Sequence, residues 1–424
     1  MMNVINRTTC KTLIGAILAS FSLMGTAAEL PEGTVISAQN LDQIMDDTFE
    51  GIKIRDLLTE KFQMWVRDYA LEMKLGHAQE LQVDPEYTAA TEKYKAQATL
   101  NTDNTVSNYT AGIPFTDVDP ADKSCGWKLA WNHFYADPIM GNSWIALGDV
   151  KIYDAKKGEI DHFTAWSAKS IFEGRTRGEP AIGNEDDHAR YLLVLTEPYD
   201  IAGIGVFTKQ YNNAQADDGW AYVKALRRVR RIAGGKSWMD PQPKMDLLND
   251  DNQAVLGYPG GFKNWECKGK RHILAVTTAN DPNIPYTFAD AVKEDEFPHW
   301  NPKGLVWEPR EVYVVEGETP DEHPYSKKVL YMDAKYPFYY HGEMYDRKGD
   351  FWRLWRQSYS MIKTCDGTPA YADTHTMSID FQNQRATFIR IGLNKSNCLT
   401  PEFFNPDVLQ KAASGALAEE ASKL

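Results

Sequence analysis

The 424-residue sequence predicts a mainly β protein with some α-helix, built on one large antiparallel sheet that is closed or nearly closed. Three observations favour this fold class. From about Trp127 onward, apolar residues recur with period two, as in "WIALGDVKIYD" and "REVYVVEG". Turn signals such as "DAKKGE" and "DRKGD" separate these runs, and few helical patterns lie between them. Many strands joined by tight turns indicate a meander.

The first 28 residues predict a secretory signal. A short basic start containing Arg7 and Lys11 precedes the apolar run Leu13–Met24 and the small residues of "GTAAE". This order is typical of a signal cleaved after about Ala28, and the apolar run is too short to span a membrane. Cys10 precedes the apolar run, so it is not a lipid-attachment cysteine. We therefore expect a soluble protein exported to the periplasm.

Four cysteines follow the signal, and an oxidising compartment favours two disulfides among them. Three pairings are open, and Cys365–Cys398 with Cys125–Cys267 is favoured because the first pair closes the shorter loop. No two of the four have the spacing of a metal site, so we expect no metal and no other cofactor. The formal net charge of −13 at pH 7 argues against a generic nucleic-acid binder.

The first hundred residues after the signal have helical patterns. Leu58, Phe62, Trp65 and Tyr69 form one apolar stripe at helical spacing. Asp84-Pro85 predicts the start of a second helix, with the aspartate as cap. The tail after Pro406 predicts a short exposed helix. The expected divisions are a signal, a helical segment packed on the barrel, the barrel itself and a C-terminal tail, at residues 1–28, 29–107, 108–400 and 401–424.

The stretch Tyr331–Arg356 carries nine aromatic rings and no residue set with a catalytic pattern. "DRKG" predicts a type I turn with Gly349 in the left-handed region, which sets Met344 opposite Trp352. In that register one face of the sheet is nearly all apolar. Together with the preceding strand, this face carries Leu330, Met332, Phe338, Tyr340, Met344, Trp352 and Leu354.

Two interpretations of this apolar face remain open. It is either ordinary core, where each buried ring contributes about 1.5–3 kcal/mol, or the wall of a cavity for a hydrophobic molecule. Pattern alone does not separate the two. We take the seven side chains as candidate ligand-binding residues and expect the helix near Leu58–Tyr69 to close over them.

The run "WAYVKALRRVRRI" is read as one strand that is strongly basic in an acidic protein. Arg227 and Arg231 then share a side with Val229, while Arg228 and Arg230 share the other side with Trp220, Tyr222 and Leu226. One interpretation is salt bridging to the surplus acids together with protection of a sheet edge. The other is a docking strip for an acidic partner or an anionic lipid headgroup.

No nucleophile elbow, P-loop, dinucleotide-binding or zinc-protease motif occurs in the sequence. "NEDDH" at Asn184–His188 reads as a solvated acidic loop rather than a metal site. Acids are numerous, so a carboxylate pair of the glycosidase type is not excluded, but no pair is singled out. We predict a non-enzymatic protein and keep a secreted hydrolase acting on an ester or glycan as an alternative.

Three stretches resemble a known family of large exported Gram-negative proteins. They are "NYTAGIPFTDVDP…GWKLAWN", "WAYVKALRRVRRI" and "VWEPREVYVVEG…HPYSKKVLYMDAKY…GEMYDRKGDFWRLW", and the similarity spans most of the chain after the signal. The family is itself called a domain of unknown function and is described as outer-membrane lipoprotein-sorting-like. The basic run is also similar to the wider LolA/LolB-like superfamily.

This resemblance implies a half-open antiparallel β-barrel with helices across its mouth and a hydrophobic cavity inside. It also implies work beside an exporter of the resistance-nodulation-division type and an outer-membrane protein. The resulting prediction is a periplasmic carrier or accessory protein for a lipid-like or other hydrophobic molecule. A structural partner of an envelope transport complex, docking through the basic run, is the further alternative.

Overall fold

The computed structural model describes residues 27–232, 239–242, 244–252, 257–277 and 291–413, so the predicted signal lies almost wholly outside the described residues. Nineteen strands are formed in the described part. They are β1 Val35–Ile36, β2 Thr48–Phe49, β3 Ile52–Lys53, β4 Met73–Leu75, β5 Thr99–Leu100, β6 Val106–Ser107, β7 Ser143–Asp154, β8 Gly158–Ile171, β9 Asp187–Glu197, β10 Gly205–Tyr211, β11 Asp218–Val223, β12 Arg228–Ile232, β13 Asn264–Ala275, β14 Val306–Glu318, β15 Tyr325–Asp333, β16 Tyr339–Asp346, β17 Phe351–Lys363, β18 Pro369–Asp380 and β19 Arg385–Ser396.

Helices are short and lie mainly outside the strand-rich core of the sequence. They are α1 Leu41–Ile44, α2 Ile54–Leu57, α3 Glu60–Tyr69, α4 Pro85–Tyr94, α5 Cys125–Phe134, α6 Asn249–Asn252 and α7 Val408–Ala413. Single 3-10 turns occupy Asp137–Met140, Lys224–Leu226, Pro259–Gly261 and Pro401–Phe403. None of the described helices is both long and apolar enough to cross a membrane.

Fifteen of the strands form one large sheet, which confirms the predicted mainly β fold. Its order is β1-β4-β14-β15-β16-β17-β18-β19-β7-β8-β9-β10-β11-β12, with β13 paired to β14 as well. The pairs of long strands are antiparallel, and the short strand β4 joins β14 in parallel. Among the described strands no ladder joins the two ends of this order, so the sheet is not closed into a barrel, and the half-open arrangement stays a prediction.

The basic run is a hairpin rather than one strand, so that prediction is wrong. The chain turns at Lys224–Leu226, and Arg227 adopts a φ of +50°, after which β12 pairs back onto β11. Trp220 lies beside Arg231 and Tyr222 beside Val229. Because the chain reverses at this turn, side chains on β12 no longer continue the alternation of β11. The rings of Trp220 and Tyr222 therefore share a side of the sheet with Arg231 instead of with Arg228 and Arg230.

The β16–β17 hairpin begins as predicted and then slips by one residue. Gly349 has a φ of +88° and Tyr345 lies opposite Phe351, as expected. The register then shifts, so Met344 lies opposite Arg353 instead of Trp352. A β-bulge places one extra residue on one strand, and every side chain beyond it changes face. The seven candidate residues therefore do not share one face, and that part of the prediction is wrong.

The sheet has an inner face, marked by Trp355 and Ala165, and an outer face, marked by Leu354 and Trp166. Helix α3 packs on the outer face, where it belongs to one buried cluster with Leu354 and with residues of β18 and β19. Its start is capped by Thr59, whose hydroxyl accepts a hydrogen bond from the Phe62 amide at 3.3 Å. The expectation that this helix closes over the interior is therefore wrong.

The C-terminal tail also covers the outer face. In helix α7, Val408 and Leu409 are buried in one cluster with Trp166 and Phe207. A short helix is present as predicted, but its predicted exposure is wrong up to Ala413, because it covers large apolar residues on the outer side of β8–β10. Residues 414–424 lie outside the described part of the chain.

Candidate ligand-binding cavity

Helix α5 lies over the inner face and is held there at several points. The disulfide Cys125–Cys267 ties its first residue to β13, which agrees with the favoured pairing, as does Cys365–Cys398. A Cβ on Gly126 would lie 2.4 Å from the Trp265 carbonyl carbon, so only glycine allows this close approach. Near the other end, the Asn132 side chain exchanges two hydrogen bonds with the Phe115 backbone, at 2.9 and 2.7 Å.

Between the end of α5 and the inner face lies a cavity of about 640 Å³. Strands β7, β8, β9, β17, β18 and β19 supply its floor and walls, and the loops at residues 213–217 and 257–261 form its rim. Its volume is within the usual range for small-molecule sites. The exposed residues Ala214, Gln215 and Ala216 lie on the rim, so the cavity opens there.

Small side chains create this space. Ala146 and Gly148 on β7 point inward, and each lies directly opposite a second small residue, Ser167 and Ala165 on β8. A Cβ added to Gly148 would meet no atom closer than 3.7 Å. Protein interiors are normally filled to crystal-like density, so a double row of small residues under open space marks this cavity as a candidate ligand site.

The inward residues of β8 change steadily in polarity along the strand. They read Phe163, Ala165, Ser167 and Lys169, and all four line the cavity. Six residues of strand separate the first from the last, which corresponds to roughly 20 Å. The cavity is therefore apolar at one end and polar at the other.

The polar end contains an acid with a displaced pKa. Burial raises the pKa of the Asp217 carboxyl to about 6, because desolvation outweighs both the hydrogen bond from the Tyr211 backbone and the attraction of Lys169. Asp217 is partly buried at the cavity wall. Near neutral pH this carboxyl therefore changes charge within the cavity.

A buried charge network fixes the segment that carries Met245, another cavity residue. The Lys328 ammonium lies 2.5 Å from Asp250 Oδ2 and 2.9 Å from Asp251 Oδ1, and all three side chains are essentially unexposed. Tyr325 adds a hydrogen bond from its hydroxyl to Asp251 Oδ2 at 2.7 Å. Buried ions of this kind require their partners, so the network anchors α6 against β15.

A family model covers nearly all of the chain that is described. The model for a protein of unknown function, DUF1329, matches residues 35–410. The chain belongs to the DUF1329 family. This confirms the family resemblance found in the sequence. No curated protein matches the DUF1329 chain.

Solved structures with partial similarity include an outer membrane lipoprotein-sorting protein domain from Vibrio parahaemolyticus. It is 17% identical, with 67% of this chain and 98% of that chain covered, at a TM-score of 0.46. A DUF1329 family protein from Desulfovibrio piger is 18% identical, with 69% and 99% covered, at 0.47. A LolA superfamily protein from Nitrosomonas europaea is 13% identical, with 63% and 91% covered, at 0.38. Since these TM-scores lie below 0.5, no functional inference is drawn from them.

The seven residues predicted to bind a ligand fall into three separate clusters of the DUF1329 chain. Leu330, Met332 and Met344 are buried beneath α5, and Trp352 packs partly against the same cluster. Phe338 and Tyr340 belong to a second cluster, and Leu354 lies on the outer face. Of the seven, only Phe338 lines the cavity. Ligand binding by these residues stays a prediction, and the geometry supports it for Phe338 alone.

The signal that identifies the cavity was present in a different part of the sequence. In the middle of "WIALGDVKI" and "FTAWSAK", two successive inward positions of each strand carry small residues, while large residues such as Ile145 and Trp166 lie on the other side. Small side chains on the same face of two neighbouring strands leave space above that face, and this pattern indicates a concave wall.

The basic hairpin lies at the end of the sheet order. Arg227, Arg228 and Arg230 are exposed, and none of them has a carboxylate within 4.0 Å in the described part of the chain. Arg231 differs, since its guanidinium pairs with Asp218. Salt bridging therefore accounts for one arginine of the four, and the docking role of the others stays a prediction.

Proposed function

We propose that this DUF1329 protein is a periplasmic carrier that encloses a lipid-like molecule between helix α5 and the inner face of the sheet. The observation that carries the proposal is the double row of Ala146, Gly148, Ala165 and Ser167 beneath a cavity of about 640 Å³. Burial of a hydrocarbon chain against such a wall contributes about 25 cal/mol per Å² of apolar surface.

The graded wall favours an amphipathic guest over a compact polar one. An apolar chain fits between Phe163, Val150 and Ile389, and a polar group fits near Lys169 and Asp217. A hydrolase of the predicted alternative kind would need its reacting bond next to a nucleophile or paired carboxylates. Ala146, Gly148 and Ala165 in the middle of the cavity carry neither a nucleophile nor a carboxylate, so they do not support that alternative.

The family resemblance adds a cellular setting to the proposal. A carrier of this kind would receive or deliver its guest beside an exporter of the resistance-nodulation-division type and an outer-membrane protein. Native mass spectrometry on protein purified from its own host tests the central point, because a bound lipid-like molecule is expected as added mass.

Filling the cavity provides the matching loss-of-function test. Ala165→Leu places a larger side chain in the space above Gly148, so binding of a fluorescent hydrophobic probe should fall at least about ten-fold while the fold is kept. Ala165→Ser retains the space and is expected to bind like the wild type. Undiminished probe binding by Ala165→Leu, or a wild-type protein that is consistently empty and ignores such probes, would argue against a carrier.

A further inference from the structure

The side-chain amide of Gln357 stands in the mostly apolar part of the cavity wall. Gln357 on β17 is 5% exposed and lines the cavity. Its cross-strand neighbours run through Thr376 and Ile389 to Val150 and then Phe163. The amide therefore lies level with the apolar end of the cavity, well away from Lys169.

The orientation of this amide is fixed by its neighbours. Three donors converge on Gln357 Oε1: the Tyr339 hydroxyl at 3.2 Å, the Trp355 indole nitrogen at 3.2 Å and the Thr376 hydroxyl at 3.0 Å. An indole N–H only donates, so the atom it meets must be the amide oxygen. The amide nitrogen then has to point elsewhere.

Gln357 Nε2 makes no hydrogen bond among the described residues, and it is not one of their fully enclosed unsatisfied atoms, so it is accessible from the cavity that the side chain lines. Because its oxygen is already occupied, the amide can offer the cavity only hydrogen-bond donors. The wall thus offers a donor in a row whose members other than Thr376 are apolar.

We propose that Gln357 donates a hydrogen bond to a carbonyl oxygen of the bound molecule, so that the cavity selects acyl esters and related carbonyl-bearing lipids over pure hydrocarbons. This inference rests on the proposed carrier function and adds the chemical class of the guest. An alkane would displace water from the amide and offer no acceptor for its N–H groups. An ester of equal size offers its carbonyl oxygen as that acceptor.

The preference is measured with ligands of equal size. Methyl laurate and pentadecane have the same number of non-hydrogen atoms, and each can displace a bound fluorescent hydrophobic probe. Wild-type protein is expected to bind the ester about ten-fold more tightly than the alkane. Laurate as a third ligand separates an ester carbonyl from a free carboxylate as the acceptor.

Gln357→Met removes the N–H donors and keeps a similar size. Methionine also lacks the oxygen that accepts from Tyr339, Trp355 and Thr376, so a lower thermal unfolding temperature is expected. The ester preference should then fall to within about two-fold, with unchanged alkane binding. Gln357→Leu, which also has no donor, serves as the second variant where the methionine variant does not fold.

The outcomes distinguish this inference from the carrier function itself. Equal binding of ester and alkane by the wild type, or a preference that survives both variants, overturns the role of Gln357 and leaves the carrier intact. Failure of all three ligands to displace the probe overturns the carrier and the inference with it.

Discussion

At the scale of single residues, the cavity depends on a few side chains whose neighbours determine what they do. Gln357 presents only donors because three groups occupy its oxygen. Gly126 allows helix α5 to touch the backbone of β13. Desolvation raises the pKa of Asp217 to about 6, so its carboxyl keeps a proton to a higher pH than an exposed aspartate does. None of these properties can be assigned from residue type alone, since each depends on a partner distant in sequence.

Asp217 gives a pH prediction. Its pKa is raised from 3.8 to about 6, so folding favours the protonated form, and the stability linked to it is lost as the pH rises through that interval. Asp217→Asn should therefore gain stability relative to the wild type between about pH 4 and pH 6, by at most about 3 kcal/mol at 1.36 kcal/mol per pH unit. Urea unfolding across this range measures the difference.

The matched control for that measurement is Asp200→Asn, a change at an exposed carboxylate. Its stability difference from the wild type should not vary with pH in the same interval. If the Asp217→Asn difference were equally flat, the carboxyl would be solvated and the polar end of the cavity would be open to water.

At the scale of elements, the sequence predicted most strands and the Asp84 cap of α4, because those signals are local. The register of β16–β17 was missed because a bulge has no marker in "GEMYDRKGDFWRL". The turn in "WAYVKALRRVRRI" was missed because Arg227, a residue type that seldom adopts positive φ, occupies the left-handed position. Helix α3 lies on the outer face because large apolar side chains of strands distant in sequence, such as Leu354, are on that face. The periodicity of the helix itself does not show which face of the sheet it covers.

Helix α5 provides a prediction at this scale. The Cys125–Cys267 bridge spans 142 residues and attaches the helix that covers the cavity. Replacing both cysteines with serine should cost about 2–5 kcal/mol of stability, and it should weaken probe binding because the helix loses its attachment to β13. Denaturant unfolding and probe titration measure the two effects.

The second disulfide serves as the comparison for that experiment. Cys365–Cys398 spans 33 residues and contributes no residue to the cavity wall. Serine at both of these positions should lower stability by a smaller amount and leave probe affinity unchanged. Equal loss of binding in both double variants would mean that α5 has no special role over the cavity.

At the scale of the whole molecule, charge is distributed unevenly. The chain carries a formal net charge of −13, yet Arg227, Arg228 and Arg230 stand exposed together at the end of the sheet order. Their triple reversal to glutamate should abolish binding to vesicles containing phosphatidylglycerol at low salt, because the headgroup layer attracts clustered cations. Vesicle co-sedimentation measures the loss.

Reversal of Lys93, Lys123 and Lys363 makes the same change in net charge at exposed positions elsewhere. That control should retain vesicle binding. A wild type that ignores anionic vesicles, or a control variant that loses binding equally, would remove the lipid role of the hairpin and leave an acidic protein as the docking partner to be tested.

The graded strand β8 gives the interior a direction. An amphipathic guest gains the most binding free energy when its apolar tail reaches Phe163 and its polar head stays at Lys169, close to the exposed rim around Gln215. Every bound molecule would then have the same orientation, with its head group towards the rim. A receiving protein that recognises the head group would therefore not need to reorient the molecule.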